Sequence, residues 1–84
     1  MPATNLDRLP NDAEVMQVGL FETDPLAVQA FAERIAKFNQ RRMSNIVLDI
    51  ESHEKGDAAF PAGPHFKLRI IFPNHNVQEA FWLE

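Results

Sequence analysis

Three histidines, His53, His65 and His75, are the side chains in this sequence that titrate nearest neutral pH and most readily ligate metals. His53 and His65 flank a loop, and Glu51 stands two residues before His53. Two imidazoles and a carboxylate could therefore share one face of a hairpin, with His75 at its other end. A set of Glu51, His53 and His65 would suit a divalent metal if it converged, but no His-Glu-x-x-His spacing accompanies it. The plainer reading is a pair of solvated histidines bordering a loop, so no metal ligand and no cofactor is assigned. Protonation of both rings in mild acid would place like charges together and give a small pH sensitivity.

Other chemistry has poor raw material. There is no cysteine, which removes thiolate nucleophiles, disulfides and cysteine-based metal sites. Ser44 and Ser52 are the only serines, and neither lies in a Gly-x-Ser-x-Gly turn. Phosphate-binding glycine loops are absent as well. Asp49 and Glu51 are explained better by Arg69 and Lys67 than by acid–base catalysis. The expectation is a protein that is not an enzyme.

A cluster of cations is the other candidate. Arg34, Lys37, Arg41 and Arg42 supply half of the 8 Lys and Arg residues within a short span. Arg34, Lys37 and Arg41 share one flank of a helix, where they could dock on nucleic-acid phosphates or on an acidic protein surface. Cations near a helix C-terminus also complement its dipole without any ligand.

The elements that position these groups follow from periodicity. Glu14 to Glu22 alternates, with Met16, Val18 and Leu20 on one face and Val15, Gln17, Gly19 and Phe21 on the other. Thr23 and Asp24 offer an N-cap and Pro25 a first-turn proline, so a helix starts there. Ala27, Val28, Phe31, Ala32, Ile35 and Phe38 then fall on one side of a helix running to about Arg42. Ser44 to Glu54 and Phe66 to Phe72 read as two more strands, joined by a loop over Lys55 to Pro64.

These two strands can be tested against each other. Setting His53 opposite His65 in an antiparallel hairpin places Glu51 against Lys67, Asp49 against Arg69 and Val47 against Ile71. The reverse face then pairs Ser52 with Phe66, Ile50 with Leu68, Leu48 with Ile70 and Ile46 with Phe72. One register thus yields an apolar face and two opposite-charge pairs, each worth about 0.2–1 kcal/mol. A slip of one residue would turn the apolar set outward.

Residues 77–84 stay open between two readings. Val77, Phe81, Trp82 and Leu83 favour a strand, which is preferred, while Asn76 followed by Glu79 resembles a capping box for a short helix. The expected fold is a single small α+β domain over residues 13–84, βαββ(β), with one amphipathic helix on one face of a mainly antiparallel sheet. Residues 1–12, interrupted by Pro2 and Pro10, read as a flexible N-terminal arm.

With one helix, only one sheet face can be covered. The other would carry Val15, Phe21, Val47 and Ile71, joined by either Phe81 or Trp82 depending on the register of the last segment, and a contiguous apolar patch of that kind marks an interface. Phe21, Val47, Ile71 and Trp82 are therefore the expected partner-binding residues, and Arg34, Lys37, Arg41 and Arg42 the residues for an anionic partner. The arm or a C-terminal helix folding across the face is the competing explanation.

The chain's 84 residues carry 8 basic against 12 acidic side chains, a net charge of -4. At that length folding buries only about 60–65% of the unfolded chain's surface, leaving little room for a deep cleft. The acidic balance argues against general nucleic-acid affinity. Apolar runs fall far short of the roughly 20 residues a membrane span needs, and the first residues lack a basic and apolar signal. The reading is a cytoplasmic interaction or regulatory module that binds a protein partner and forms a homodimer. The alternative is a nucleic-acid-binding regulator using Arg34, Lys37 and Arg41.

Overall fold

The computed structural model describes residues 14–84. The arm expected over residues 1–12 lies outside them. Three strands and two helices follow in the order β1 (Met16–Glu22), α1 (Pro25–Arg42), β2 (Val47–His53), β3 (His65–Phe72) and α2 (His75–Leu83). The sheet is antiparallel throughout, with β3 between β1 and β2.

Helix α1 occupies the span its sequence pattern predicts. Asp24 caps it, its Oδ1 accepting from the Leu26 N–H at 2.9 Å, and Pro25 takes the first turn. Arg41 and Arg42 lie in the last turn, where they complement the helix dipole. Met43 ends the helix in the left-handed region at φ 53°, ψ 43°. Asn39 then ties the turn together: its Oδ1 accepts from the Ile46 N–H and the Ser44 hydroxyl, and its Nδ2 donates to the Ile46 carbonyl.

The hairpin register is the expected one. His53 faces His65, Glu51 faces Lys67, Asp49 faces Arg69 and Val47 faces Ile71. On β1, Gln17 lies against Ile71, Gly19 against Arg69 and Phe21 against Lys67, so Phe21 shares a face with those residues.

Residues 77–83 form part of helix α2, capped by Glu84, and the preferred strand is not realised. The cap is Asn74 rather than Asn76: its Oδ1 accepts from the Val77 N–H at 2.9 Å. His75 and Glu79 pair one turn apart at 3.1 Å. Val77, Ala80 and Phe81 thereby share a stripe at helical spacing and pack against the core. In a strand, Phe81 and Trp82 would have pointed to opposite faces.

The core holds Ile35 and Phe38 of α1, Ile46, Ile70 and Phe72 of the hairpin, and Phe81 of α2. Phe81 is fully buried, with its ring 5.4 Å from Phe38, 5.8 Å from Phe31 and 5.8 Å from Phe72. Both helices therefore pack on the same face of the sheet, around Ile70 and Phe72, while Leu20 and Ile50 farther along that face stay 39% and 47% exposed. The expectation that one face stays uncovered by helix holds, although two helices, not one, share the other.

Replacing Phe81 with Ala should cost about 3–5 kcal/mol in chemical denaturation, the usual result of emptying a buried aromatic site. A loss within the roughly 0.5 kcal/mol of a surface position would contradict the docking of α2.

Candidate functional site

The helix-free face is built row by row from the strand register. Gln17, Ile71 and Val47 form one row, Gly19, Arg69 and Asp49 the next, and Phe21, Lys67 and Glu51 the third. His65 and His53 close the end. Phe21 is 46% and Val47 48% exposed, with Ile71 half-buried between the outer strands. The middle row is charged, Asp49 and Arg69 standing 3.6 Å apart with both side chains largely in solvent. A shallow depression of about 160 Å³ runs past Asp49, Glu51, Lys67 and Arg69. Gly19 leaves the β1 side of that row bare, since a side chain there would meet nothing within 4 Å.

Trp82 does not join this face. It lies on α2, 38% exposed, against Phe31, Phe72 and Phe81 on the opposite side of the sheet. The four residues expected to bind a partner are thus split: Val47 and Ile71 share a row, Phe21 stands two rows along the same face, and Trp82 lies apart. A helical C-terminal segment is the reason. The same observation removes the C-terminal helix as a cover for this face, because α2 packs beside α1 instead of crossing it, while the arm lies outside the described residues.

The basic flank of α1 is drawn into the fold. The Arg34 guanidinium donates to the Phe81 carbonyl at 2.7 Å and stacks over its ring at 4.2 Å. Arg41 and Arg42 both pair with Glu84 just past α2, and Arg42 also lies over Phe38. These cations meet the end of α2, where unpaired carbonyls concentrate negative charge. Lys37 alone of the four remains an exposed cation with no ion pair among the described residues. Sequence shows which residues share a helix flank, but not that a second helix end will be set against it.

The histidine end departs most from expectation. His65 is 2% exposed, not solvated. Phe21 meets it edge-on at 5.9 Å, Phe60 lies at 4.8 Å and the His53 ring stacks on it at 5.0 Å. The loop between β2 and β3 folds back over the hairpin to supply Phe60 and Asp57. Gly56 makes the return possible, since a Cβ there would stand 2.5 Å from the Pro61 carbonyl oxygen.

Asp57 is the residue that the strand pattern misses. Its Oδ1 accepts from the N–H groups of Ala59 and Phe60, and its Oδ2 takes an ion pair from Lys67 at 2.8 Å. Lys67, with help from these N–H groups, holds the Asp57 carboxyl down at about 2, so it is ionised at neutral pH. Lys67 therefore pairs with the loop and not with Glu51, its cross-strand neighbour. Glu51 instead bonds His53 Nε2 at 3.1 Å, and that contact, ahead of Lys67 and Arg69, lowers its pKa. A polar turn residue beside Gly56, in a loop joining two paired histidines, was the available signal for Asp57.

Comparison with protein-family models, curated proteins and solved structures returns no match for this chain. None of the described helices is long and apolar enough to cross a membrane.

The two kinds of cation contact should separate by mutation. Arg34→Ala is expected to cost about 1.5–3 kcal/mol, because it removes a charge-assisted bond at a half-buried site. Glu84→Ala, which removes two exposed pairs, should cost no more than about 1 kcal/mol. Denaturation midpoints of the two variants provide the check, and a larger loss for Glu84→Ala would contradict this account.

Proposed function

We propose that this chain is a small, non-enzymatic protein-interaction module that works by associating through its open sheet face, with a second copy of itself as the first partner. The observation that carries the reading is the half-exposure of Phe21 and Val47 beside Ile71 while both helices pack on the opposite face. Val47 and Ile71 at the apolar end gain from leaving water, and a partner surface is what removes them.

Charge supports a self-complementary contact. Asp49 and Glu51 lie along β2, and Lys67 and Arg69 along β3. A two-fold axis passing between these strands would set Asp49 of each copy over Arg69 of the other, with Val47 and Ile71 closing together beside them. Three strands about 4.8 Å apart, seven residues long at about 3.3 Å each, give a face of roughly 14 by 23 Å. That area belongs with small, transient interfaces, so association should be reversible and concentration-dependent.

Binding of nucleic acid along α1 has less behind it, because Arg34, Arg41 and Arg42 are already engaged by α2 and its flank. It predicts salt-sensitive affinity that disappears when Arg34, Lys37 and Arg41 are replaced together by Ala.

Sedimentation over a concentration series tests the main reading. The native chain should move from monomer towards dimer as concentration rises, and Val47→Glu should remain monomeric with an unchanged circular-dichroism spectrum. A native chain that stays monomeric throughout, or a Val47→Glu variant that still dimerises, would overturn association through this face.

A further inference from the structure

His65 presents an unusual combination. Its Nδ1 lies 2.8 Å from the Gly63 carbonyl oxygen, an acceptor only, so Nδ1 carries a proton and donates it. In the neutral ring this leaves Nε2 as a bare lone pair. That atom is buried and has no hydrogen-bond partner. It faces Asp57 Oδ2 at 3.7 Å, beyond hydrogen-bond reach and carrying negative charge. A lone pair held against a carboxylate is repulsive unless a cation stands between them.

Two cations could do so. A proton on Nε2 would pair with Asp57 alone and leave the His53 ring, stacked at 5.0 Å, without a part in the contact. A metal ion uses the lone pair as it stands and recruits His53 as well. His53, Asp57 and His65 each bring one ligand atom within 4.8 Å of the other two.

We propose that His53, Asp57 and His65 form a binding site for a divalent transition metal, with zinc the best-suited ion. Two imidazoles and one carboxylate are a donor set that zinc accepts, and the fourth tetrahedral position is left for water. At bond lengths of about 2.0–2.1 Å, tetrahedral donors stand roughly 3.4 Å apart, so the set must contract on binding. The parallel His53 and His65 rings must also turn towards each other, and half-exposed His53 on an edge strand has the freedom to do so.

The surroundings accommodate the change. Gly63 fixes the His65 tautomer and Glu51 holds His53 Nε2, as outer partners do around metal-bound histidines. Lys67, when Asp57 Oδ2 turns to the metal, has Glu51 opposite it in the strand register. The bound ion would tie the loop over residues 54–64 to the ends of β2 and β3. This site goes beyond the association proposed above and does not depend on it.

Calorimetric titration of the metal-free native chain with zinc chloride tests the site, alongside cobalt chloride as a spectroscopic probe. One equivalent should bind, with the visible absorption of tetrahedral cobalt, and ¹⁵N NMR should show the His53 and His65 ring nitrogens shifting while those of His75 do not. Asp57→Asn keeps the Oδ1 acceptor of its turn and His53→Ala removes a half-exposed ring, so both should fold. Each should weaken zinc binding by at least the 10–100-fold seen on losing an outer partner. His75→Ala, which removes the His75–Glu79 pair on α2, should bind as the native chain does. No stoichiometric binding to the native chain, ring shifts confined to His75, or undiminished binding by both folded variants would overturn the proposal.

Discussion

The packing of Phe81 against Phe31, Phe38 and Phe72 decides how the rest of the molecule is arranged. A sheet of three strands has two faces, and a chain this short has few elements with which to cover them. By burying Phe81 between α1 and β3, the protein commits its second helix to the face the first already occupies. The gain is a dense aromatic core at one end of that face. Its consequence is that the other face has neither helix to shield it.

Several features follow from this commitment. The end of α2 comes to rest beside the basic flank of α1, so Arg34 donates to the Phe81 carbonyl while Arg41 and Arg42 pair with the Glu84 carboxylate. Trp82 is carried away from Val47 and Ile71. The open face then divides into three zones along the strands: an apolar end at Val47 and Ile71, a charged middle at Asp49 and Arg69, and a histidine end enclosed by Phe21 and Phe60. Phe21 belongs to both the surface and the pocket, being half-exposed yet in contact with Phe60 and His65. The loop closes the histidine end from above, so that end is a pocket where the apolar end is a surface.

The parts of this arrangement that are local in sequence were legible there. Asp24 and Pro25 mark the start of α1, and the spacing of Val28, Phe31, Ile35 and Phe38 fixes its buried side. The hairpin register was equally legible, because alternation on both strands, with opposite charges at two positions, admits one pairing. Helix α2 was less so: Phe81 and Trp82 suit a strand by propensity, and the cap at Asn74 has no acidic residue three positions on to advertise it. What needs distant segments to meet was not readable from pattern. The capture of the α1 cations by α2, the burial of His65 and the arrival of Asp57 all depend on chain returns that leave no periodic trace.

The arrangement of the whole chain depends on α2 sharing a face with α1, and nuclear Overhauser contacts of the Phe81 and Trp82 rings measure this most directly. Cross-peaks from Phe81 to Phe31, Phe38 and Phe72, with Trp82 near Phe31, are the predicted result. Contacts from either ring to Val47 or Ile71 within one molecule would place α2 across the open face and contradict it.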